Sequence, residues 1–157
     1  MEKLVDILKE KGLKISFAES MTGGLLAADL TSYPGASNVF KESFVTYSNE
    51  SKNINLNVSL ETLDKKGAVS LECAYEMAKG LRAKNMCDIA ISITGEAGPV
   101  ASEKTVGLVY YSIYFDDKNY IVNCLHLDGD RNKIRKKAVE EIAKDILFEI
   151  GGLNGKK

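Results

Sequence analysis

The sequence contains a single histidine, His126, and this scarcity limits the catalytic sites that the chain can build. No serine or acidic residue stands at a motif spacing from His126, so a Ser-His-Asp triad has little support. His126 falls in a predicted strand, where we expect it to have no catalytic part. One histidine and three scattered cysteines also lack the spacing of a metal site, and we predict none.

Other familiar patterns are missing as well. Neither GxGxxG nor GxxxxGK[ST] occurs, so the sequence has no dinucleotide fingerprint and no P-loop. A formal net charge of −1 gives no global basic field that would attract nucleic acid or a membrane surface. No apolar run approaches the roughly 20 residues of a membrane span.

The cysteines indicate a reducing environment. Cys73, Cys87 and Cys124 are odd in number and have neither disulfide-scaffold nor CxxC spacing. The N-terminus begins with an amphipathic pattern rather than a signal peptide. We therefore expect a cytoplasmic protein in which all three cysteines are packing residues.

The apolar pattern predicts one layered α/β domain over residues 1–157. Strands are expected over 14–18, 40–47 and 88–94, and a hairpin over 106–115 and 120–127. Helices are expected near the N-terminus, over 22–30, after the capping residues Ser48, Ser59 and Ser70, and at the C-terminus. The hairpin requires an antiparallel pair, so the sheet should be mixed. The tail, 151–157, is expected to fray.

The stretch from Phe17 to Gly24 is the most informative part of the sequence. A short apolar run is followed by an acid, a serine, a threonine and two glycines, which predicts a strand, a tight turn and a helix start. Such a junction leaves backbone N–H groups and small hydroxyls facing outward. In α/β proteins, this is where a ligand or a nucleophile is commonly held.

Serine and lysine together offer one catalytic hypothesis. Ser20 lies at the predicted turn, and Lys52 follows the next strand. Because parallel strand ends meet at one edge of a sheet, the two could come together. A desolvated lysine can lose its proton and activate a hydroxyl, with Tyr47 as a relay or orienting partner. Backbone N–H groups around residues 22–24 (Thr22, Gly23 and Gly24) would be donors to an oxyanion.

Simpler explanations exist for the same residues. Ser20 could only cap a helix, and Lys52 could be a solvated surface charge. The paired glycines, 23 and 24, could only permit close packing of a helix on a strand. The second small-residue loop, which follows Thr94, could be a strand-ending turn with Glu96 exposed. Spacing alone does not decide between these explanations.

A basic run opens the last predicted helix. It consists of Arg131, Lys133, Arg135, Lys136 and Lys137. A solvated face is favoured over a phosphate or nucleic-acid contact for such a run.

Seven short motifs follow one another along the chain and together are specific. They are AESxTGG at 18–24, LTxxPGAS at 30–37, VTYSNxxK at 45–52, GAVS at 67–70, TGxAGP at 94–99, VG at 106–107 and GDRxxxR at 129–135. In this order they resemble the CinA C-terminal domain family, in its stand-alone form.

The resemblance implies a three-layer α/β/α sandwich around a mixed sheet. It also implies a nicotinamide-nucleotide amidohydrolase, or NMN deamidase, which converts nicotinamide mononucleotide to nicotinate mononucleotide and ammonia in pyridine nucleotide salvage. Ser20 then matches the nucleophile, Lys52 its base and Tyr47 a nearby site residue. No cofactor or metal is implied. A homo-oligomer is compatible with this assignment, and nucleic acid and membrane are not expected partners.

The resemblance also implies a phosphate-binding region. The second loop, with Thr94, Gly95 and Gly98, would hold the phosphate together with Arg131 or Arg135, and the sequence leaves open which arginine. The family pattern is broken at three places: Glu42-Ser43 and Ala101-Ser102 replace glycine pairs, and Glu96 replaces an apolar residue. An added acid in a phosphate-binding loop motivates a second hypothesis, a non-catalytic nucleotide- or partner-binding module. A third, nucleic-acid binding, rests only on the basic run.

Overall fold

The fold is built on one mixed β-sheet. The computed structural model describes residues 1–152. Within them, five strands pair in the order β2-β1-β3-β4-β5. Strand β1 is parallel to β2 and β3, whereas β3-β4 and β4-β5 are antiparallel, which confirms the predicted mixed sheet and hairpin. The strands are β1 (Ile15–Glu19), β2 (Phe40–Val45), β3 (Ile89–Gly95), β4 (Leu108–Asp116) and β5 (Asn119–His126).

Helices cover both faces of the sheet, which confirms the three-layer sandwich. One buried cluster joins the sheet to α1, α2 and α6, and a second joins it to α3, α4 and α5. Among residues 1–152, none of the helices is long and apolar enough to span a membrane. The helices are α1 (Glu2–Lys11), α2 (Leu25–Thr31), α3 (Asn49–Leu56), α4 (Leu60–Lys65), α5 (Leu71–Asn85) and α6 (Arg131–Gly152).

Side-chain size distinguishes the two faces of the central strands. Residues 89, 91 and 93 of β3 are isoleucines, and they pack into the cluster of α1, α2 and α6. Ala90 faces the other cluster, and the Ser92 hydroxyl donates to Ala74 O of α5 at 2.5 Å. Successive strand residues point to opposite faces, so β3 presents isoleucines on one face and small side chains on the other. The small side chains allow α5 to pack closely against the sheet. This packing also keeps β3 buried on both sides.

The parallel strands β1, β2 and β3 bring their carboxyl ends to one edge. Glu19 is paired with both Val45 and Ile93, so the next residues of the three strands are neighbours. Strand β1 connects to β2 on one side and lies beside β3 on the other. This is a topological switch point, the place where open α/β sheets bind ligands.

Most strand ends differ from the sequence prediction by one or two residues, and three differences concern the site or the tail. Strand β2 ends at Val45, so Tyr47 lies beyond it. Helix α2 begins at Leu25 with Gly24 as N-cap, and the prediction that Thr22 caps it or lies in its first turn is wrong. Thr22 belongs instead to the tight turn before the helix. Helix α6 includes residues 151 and 152 of the predicted frayed tail, and residues 153–157 lie outside the described residues.

The cysteines are free thiols in all three positions. Cys73 and Cys87 are fully buried in the cluster of α3, α4 and α5, as packing residues. Cys124 is half-buried on β5, the edge strand of the hairpin.

Candidate active site

Ser20 and Lys52 meet at the carboxyl edge of the sheet. Ser20 is the first residue after β1, and its N–H donates to Ile93 O of β3 at 3.0 Å. The Lys52 Nζ lies 3.0 Å from Ser20 Oγ. The amine also donates to Thr46 O at 2.8 Å, and Lys52 is 1% exposed. Ser20 is therefore not a helix cap, and Lys52 is not a solvated surface charge.

Helix α3 carries Lys52 into the core. Its N-cap is Ser48, whose side chain accepts a hydrogen bond from Ser51 N at 3.1 Å, as predicted. Lys52 and Leu56 form the buried side of this short helix. Because the two are four residues apart, they lie on one helical face, and that face packs against α5. The cap thus fixes where the helix starts and which face holds the lysine.

Burial shifts the Lys52 amine toward its neutral form. Removal from water lowers the pKa of Lys52, and Cys73 and Glu103 oppose this with smaller electrostatic effects. No salt bridge joins Lys52 to an acidic residue within residues 1–152. A neutral amine at 3.0 Å from Ser20 Oγ can accept the hydroxyl proton. The pair therefore has the geometry of a nucleophile with its base.

The turn that carries Ser20 is fixed from both sides. The buried Glu19 carboxylate accepts hydrogen bonds from Leu26 N at 3.0 Å and Ala27 N at 2.9 Å, at the start of α2. Ser43, one of the residues that depart from the family pattern, donates to the same carboxylate at 3.2 Å. An acid at a helix N-terminus accepts hydrogen bonds from unpaired N–H groups, and its negative charge interacts favourably with the helix dipole. This carboxylate thus joins β1, β2 and α2.

Arg135 holds the other side of this turn. Its Nε donates to Met21 O at 3.1 Å and its Nη2 to Thr22 O at 2.7 Å. Gly23 and Gly24 have φ values of 61° and 93°, which only glycine adopts readily, so the turn itself requires them. We infer that Arg135 is a positioning residue for the turn.

Arg131 takes a different place, one helical turn earlier on α6. Its Nη1 donates to Gly98 O at 2.5 Å, and its Nη2 donates to Tyr47 Oη at 2.9 Å. Arg131 therefore bridges the stretch after β2 and the loop after β3. Arg131 is exposed and Arg135 is half-buried, but both side chains donate to groups of the protein, so the solvated-face explanation is incomplete for these two residues.

Glu96 organises the loop after β3. Its Oε1 accepts from Ser102 Oγ at 2.8 Å, Ser102 N at 3.1 Å, Glu103 N at 2.7 Å and Lys104 N at 3.3 Å. Burial alone would raise the pKa of Glu96, but these hydrogen bonds outweigh it and leave the pKa lowered. The expectation of an exposed Glu96 is wrong, because the residue is 6% exposed. Two departures from the family pattern, at 96 and 102, are bonded to each other.

A cavity of about 240 Å³ opens at this edge of the sheet. The predicted residues that line it are Ser20, Tyr47, Lys52, Thr94, Gly95, Gly98 and Arg131. The predicted contacts Thr22, Gly23, Gly24 and Arg135 do not line it. Thr22 is fully buried, and its hydroxyl has no hydrogen-bond partner in the described part of the chain. The Thr94 hydroxyl is bonded to Ala68 O at 2.8 Å.

Several further residues that the sequence did not single out line the cavity, among them Asn49, Val69 and Glu103. Asn49 stands inside the motif at 45–52, so its neighbours could have drawn attention to it. Val69 likewise stands inside the motif at 67–70, whereas Glu103 joins the site through a tertiary contact with Val69 N that no local pattern marks. Across residues 1–152, no group of three or more His, Cys, Asp or Glu side chains is placed to hold a metal ion.

The chain belongs to the CinA C-terminal domain family, whose model matches residues 1–149. A CinA-like protein of Kosmotoga olearia is 50% identical over 139 residues, which cover 87% of this chain and 34% of that protein. The chain spans about a third of the length of the curated relatives it matches.

Solved structures of the same superfamily have the same fold. A competence-damaged protein (CinA) superfamily member from Klebsiella pneumoniae superposes with a TM-score of 0.93 at 30% identity, covering 96% of this chain and 95% of that one. The competence/damage inducible protein CihA from Agrobacterium tumefaciens gives a TM-score of 0.89 at 35% identity, covering 94% and 91%.

Proposed function

We propose that this CinA-family chain is an amidohydrolase that converts nicotinamide mononucleotide to nicotinate mononucleotide and ammonia. The observation that carries the proposal is the 3.0 Å approach of the buried Lys52 Nζ to Ser20 Oγ inside a cavity at the switch point of the sheet. A buried amine paired with a hydroxyl and with no acidic partner is an arrangement suited to nucleophilic catalysis.

The reaction proceeds through an ester on Ser20. Ser20 Oγ attacks the carboxamide carbon while its proton passes to Lys52 Nζ. The tetrahedral intermediate then breaks its C–N bond, and Lys52 returns the proton so that ammonia leaves. A water molecule, deprotonated by Lys52, attacks the ester carbon. The C–O bond to Ser20 breaks, Ser20 regains its proton, and the nicotinate product is released.

Backbone N–H groups of the turn are suited to stabilise the oxyanion. The N–H of Gly23 already donates to Ser20 O at 3.0 Å. The N–H groups of Met21 and Thr22 have no hydrogen-bond partner among the described residues, and Met21 lines the cavity. We assign the oxyanion to the Met21 N–H, since Met21 lines the cavity, in place of the broader set at 22–24.

Arg131 is suited to bind the phosphate. It is the arginine that lines the cavity, and its two bonds, to Tyr47 and Gly98, hold the guanidinium at the mouth. A guanidinium presents several donors in one plane and matches a phosphate well. Arg135 is occupied by the turn and does not line the cavity, so we assign the phosphate to Arg131.

The proposal is tested by product analysis. Purified protein supplied with nicotinamide mononucleotide should release ammonia and nicotinate mononucleotide in equal amounts. Ser20→Ala should abolish the reaction, and Ser37→Ala, which alters an exposed serine, should not change it. Full activity in Ser20→Ala would exclude Ser20 as the nucleophile.

The same assay distinguishes the enzyme from a non-catalytic binding module. The binding-module hypothesis rested on an added acid in the phosphate-binding loop, but the Glu96 oxygen is occupied by four donors within that loop. We therefore expect turnover. Saturable nucleotide binding with no ammonia released at any pH would replace the enzyme proposal with a binding function.

A further inference from the structure

The cavity wall holds few formal charges. They belong to Lys52, Glu96, Glu103 and Arg131. Lys52 is buried beside Ser20, the Glu96 oxygen is occupied by its own loop, and Arg131 is bonded to the Tyr47 and Gly98 side of the cavity. Of the two acids in the wall, Glu103 is the one whose charge is not surrounded by donors of its own loop.

The Glu103 carboxylate is held at a defined place in the wall. Its Oε2 accepts a hydrogen bond from Val69 N at 3.0 Å, and Val69 also lines the cavity. The Glu103 backbone is tied to Glu96 at 2.7 Å. No hydrogen bond joins its Oε1 to the rest of the described chain. The carboxylate is thus fixed through one oxygen and free at the other.

We propose that Glu103 makes the cavity select a substrate whose ring is a cation. The inference rests on the proposed function and specifies the substrate class: an N-substituted pyridinium carboxamide that carries an anionic group. Glu103 contributes the negative charge for the ring, and Arg131 contributes the positive charge for the anionic end. Glu103 is a specificity-determining residue in this assignment, and the bond-breaking steps are left to Ser20 and Lys52.

The charge of the ring gives this preference a physical basis. In nicotinamide mononucleotide the pyridinium charge is delocalised over the ring that bears the reacting carboxamide. Ser20 and Glu103 line the same cavity of about 240 Å³, so we expect a ring whose carboxamide reaches Ser20 to lie close to Glu103. Opposite charges attract at the short separations that a cavity of this size imposes, and water screens part of this attraction because Glu103 is exposed. A neutral ring with the same carboxamide and phosphate gains nothing from Glu103.

A matched pair of substrates separates this effect from all others. Nicotinamide mononucleotide and its reduced, 1,4-dihydropyridine form share the carboxamide, ribose and phosphate, but only the first has a cationic ring. Glu103→Gln keeps an oxygen that can accept from Val69 N and removes the charge. The ratio of the two kcat/KM values cancels any change in Lys52, since both substrates use the same base.

We expect Glu103→Gln to lower kcat/KM for the cationic nucleotide about tenfold and to change that of the reduced nucleotide less than about twofold. Glu72→Gln removes the same charge from an exposed acid that does not line the cavity, and it should leave the ratio unchanged. Equal effects of Glu103→Gln on both nucleotides, or none on either, would overturn the inference.

Equilibrium binding keeps the two proposals apart. If the wild-type chain releases no ammonia from either nucleotide, the proposed function fails, and calorimetry with the same two nucleotides still tests Glu103. The wild type should then bind the cationic form more tightly, and Glu103→Gln should lose that preference. Equal dissociation constants in the wild type, or no binding of either nucleotide, would overturn the inference as well.

Discussion

Two segments that follow neighbouring parallel strands are held in place in different ways. The turn after β1, residues 20–24, is fixed on one side by Glu19, which bonds the first N–H groups of α2, and on the other by Arg135 of α6. The loop after β3, residues 96–104, is held by four bonds to its own Glu96, by one bond from Val69 to Glu103 and by one from Arg131 to Gly98. We infer a division of work, with the nucleophile Ser20 on the turn and substrate selection on the loop.

The largest effect should come from Lys52. We expect Lys52→Met to lower kcat/KM by about a thousandfold or more, because the base for Ser20 is lost. The same change should stabilise the fold at pH 7 by about 1 kcal/mol, since it removes an amine from a buried place that disfavours its charge. Thermal or urea unfolding of both proteins measures the second effect.

The sign of the pH dependence is fixed by the direction of the shift. Burial lowers the pKa of Lys52, so between its folded and unfolded pKa the unfolded chain binds more protons. Wild-type stability attributable to Lys52 therefore rises with pH through that window, and the advantage of Lys52→Met shrinks. Lys65→Met, at an exposed lysine, is the control and should show no such trend. A Lys52→Met protein less stable than the wild type at pH 7 would contradict this account.

Arg131 should give the next largest effect. Arg131→Gln removes the guanidinium that we assign to the phosphate, and KM for nicotinamide mononucleotide should rise about tenfold or more. The free energy of unfolding should hardly change, because the arginine is at the cavity mouth. Steady-state kinetics measure KM, and urea unfolding measures the stability. An unchanged KM would exclude Arg131 as the residue that binds the phosphate.

Arg135 should show the opposite pattern. Arg135→Gln leaves the carbonyls of Met21 and Thr22 without their donors, so the free energy of unfolding should fall by about 1–2 kcal/mol. The activity should fall through kcat, as Ser20 is held less well, rather than through KM. If the two arginine variants changed KM, kcat and the free energy of unfolding alike, Arg131 and Arg135 would not have the separate roles assigned to them.

Glu96 should have the smallest effect on chemistry. Glu96→Ala removes the acceptor of four hydrogen bonds in the loop, so KM should rise about threefold with kcat nearly unchanged, and trypsin should cleave faster after the exposed Lys104. Because hydrogen bonding lowers the pKa of Glu96 against the effect of burial, its contribution is present at neutral pH and is lost as acid protonates it. Cleavage at the wild-type rate would show that the loop does not depend on Glu96.

The sequence was sufficient to predict the turn but not the loop. The strand before Ser20, the cap before Lys52 and the mixed sheet follow from apolar runs, capping residues and a hairpin, all of which are local patterns. The sequence could not distinguish Arg131 from Arg135. Residues four positions apart lie on the same face of a helix, and only the fold shows which neighbours each one contacts.

The loop was harder to predict from the sequence because its contacts follow no regular spacing along the chain. The bond between Glu96 and Ser102 joins two residues across an irregular segment, and the bond between Val69 and Glu103 joins two separate parts of the chain. An acid read in isolation indicated weaker phosphate binding, whereas in the fold it closes the loop. The position of Glu103 in the cavity wall depends on its backbone bond to Glu96 and on its bond to Val69, which precedes α5.

The titration of Lys52 tests the central assignment most directly. In protein with isotopically labelled lysine side chains, NMR should show Lys52 losing its proton at a lower pH than the exposed lysines. That transition should coincide with the acid limb of kcat/KM for nicotinamide mononucleotide. A Lys52 that titrates with the exposed lysines, in a protein already fully active at pH 7, would contradict its assignment as the base for Ser20.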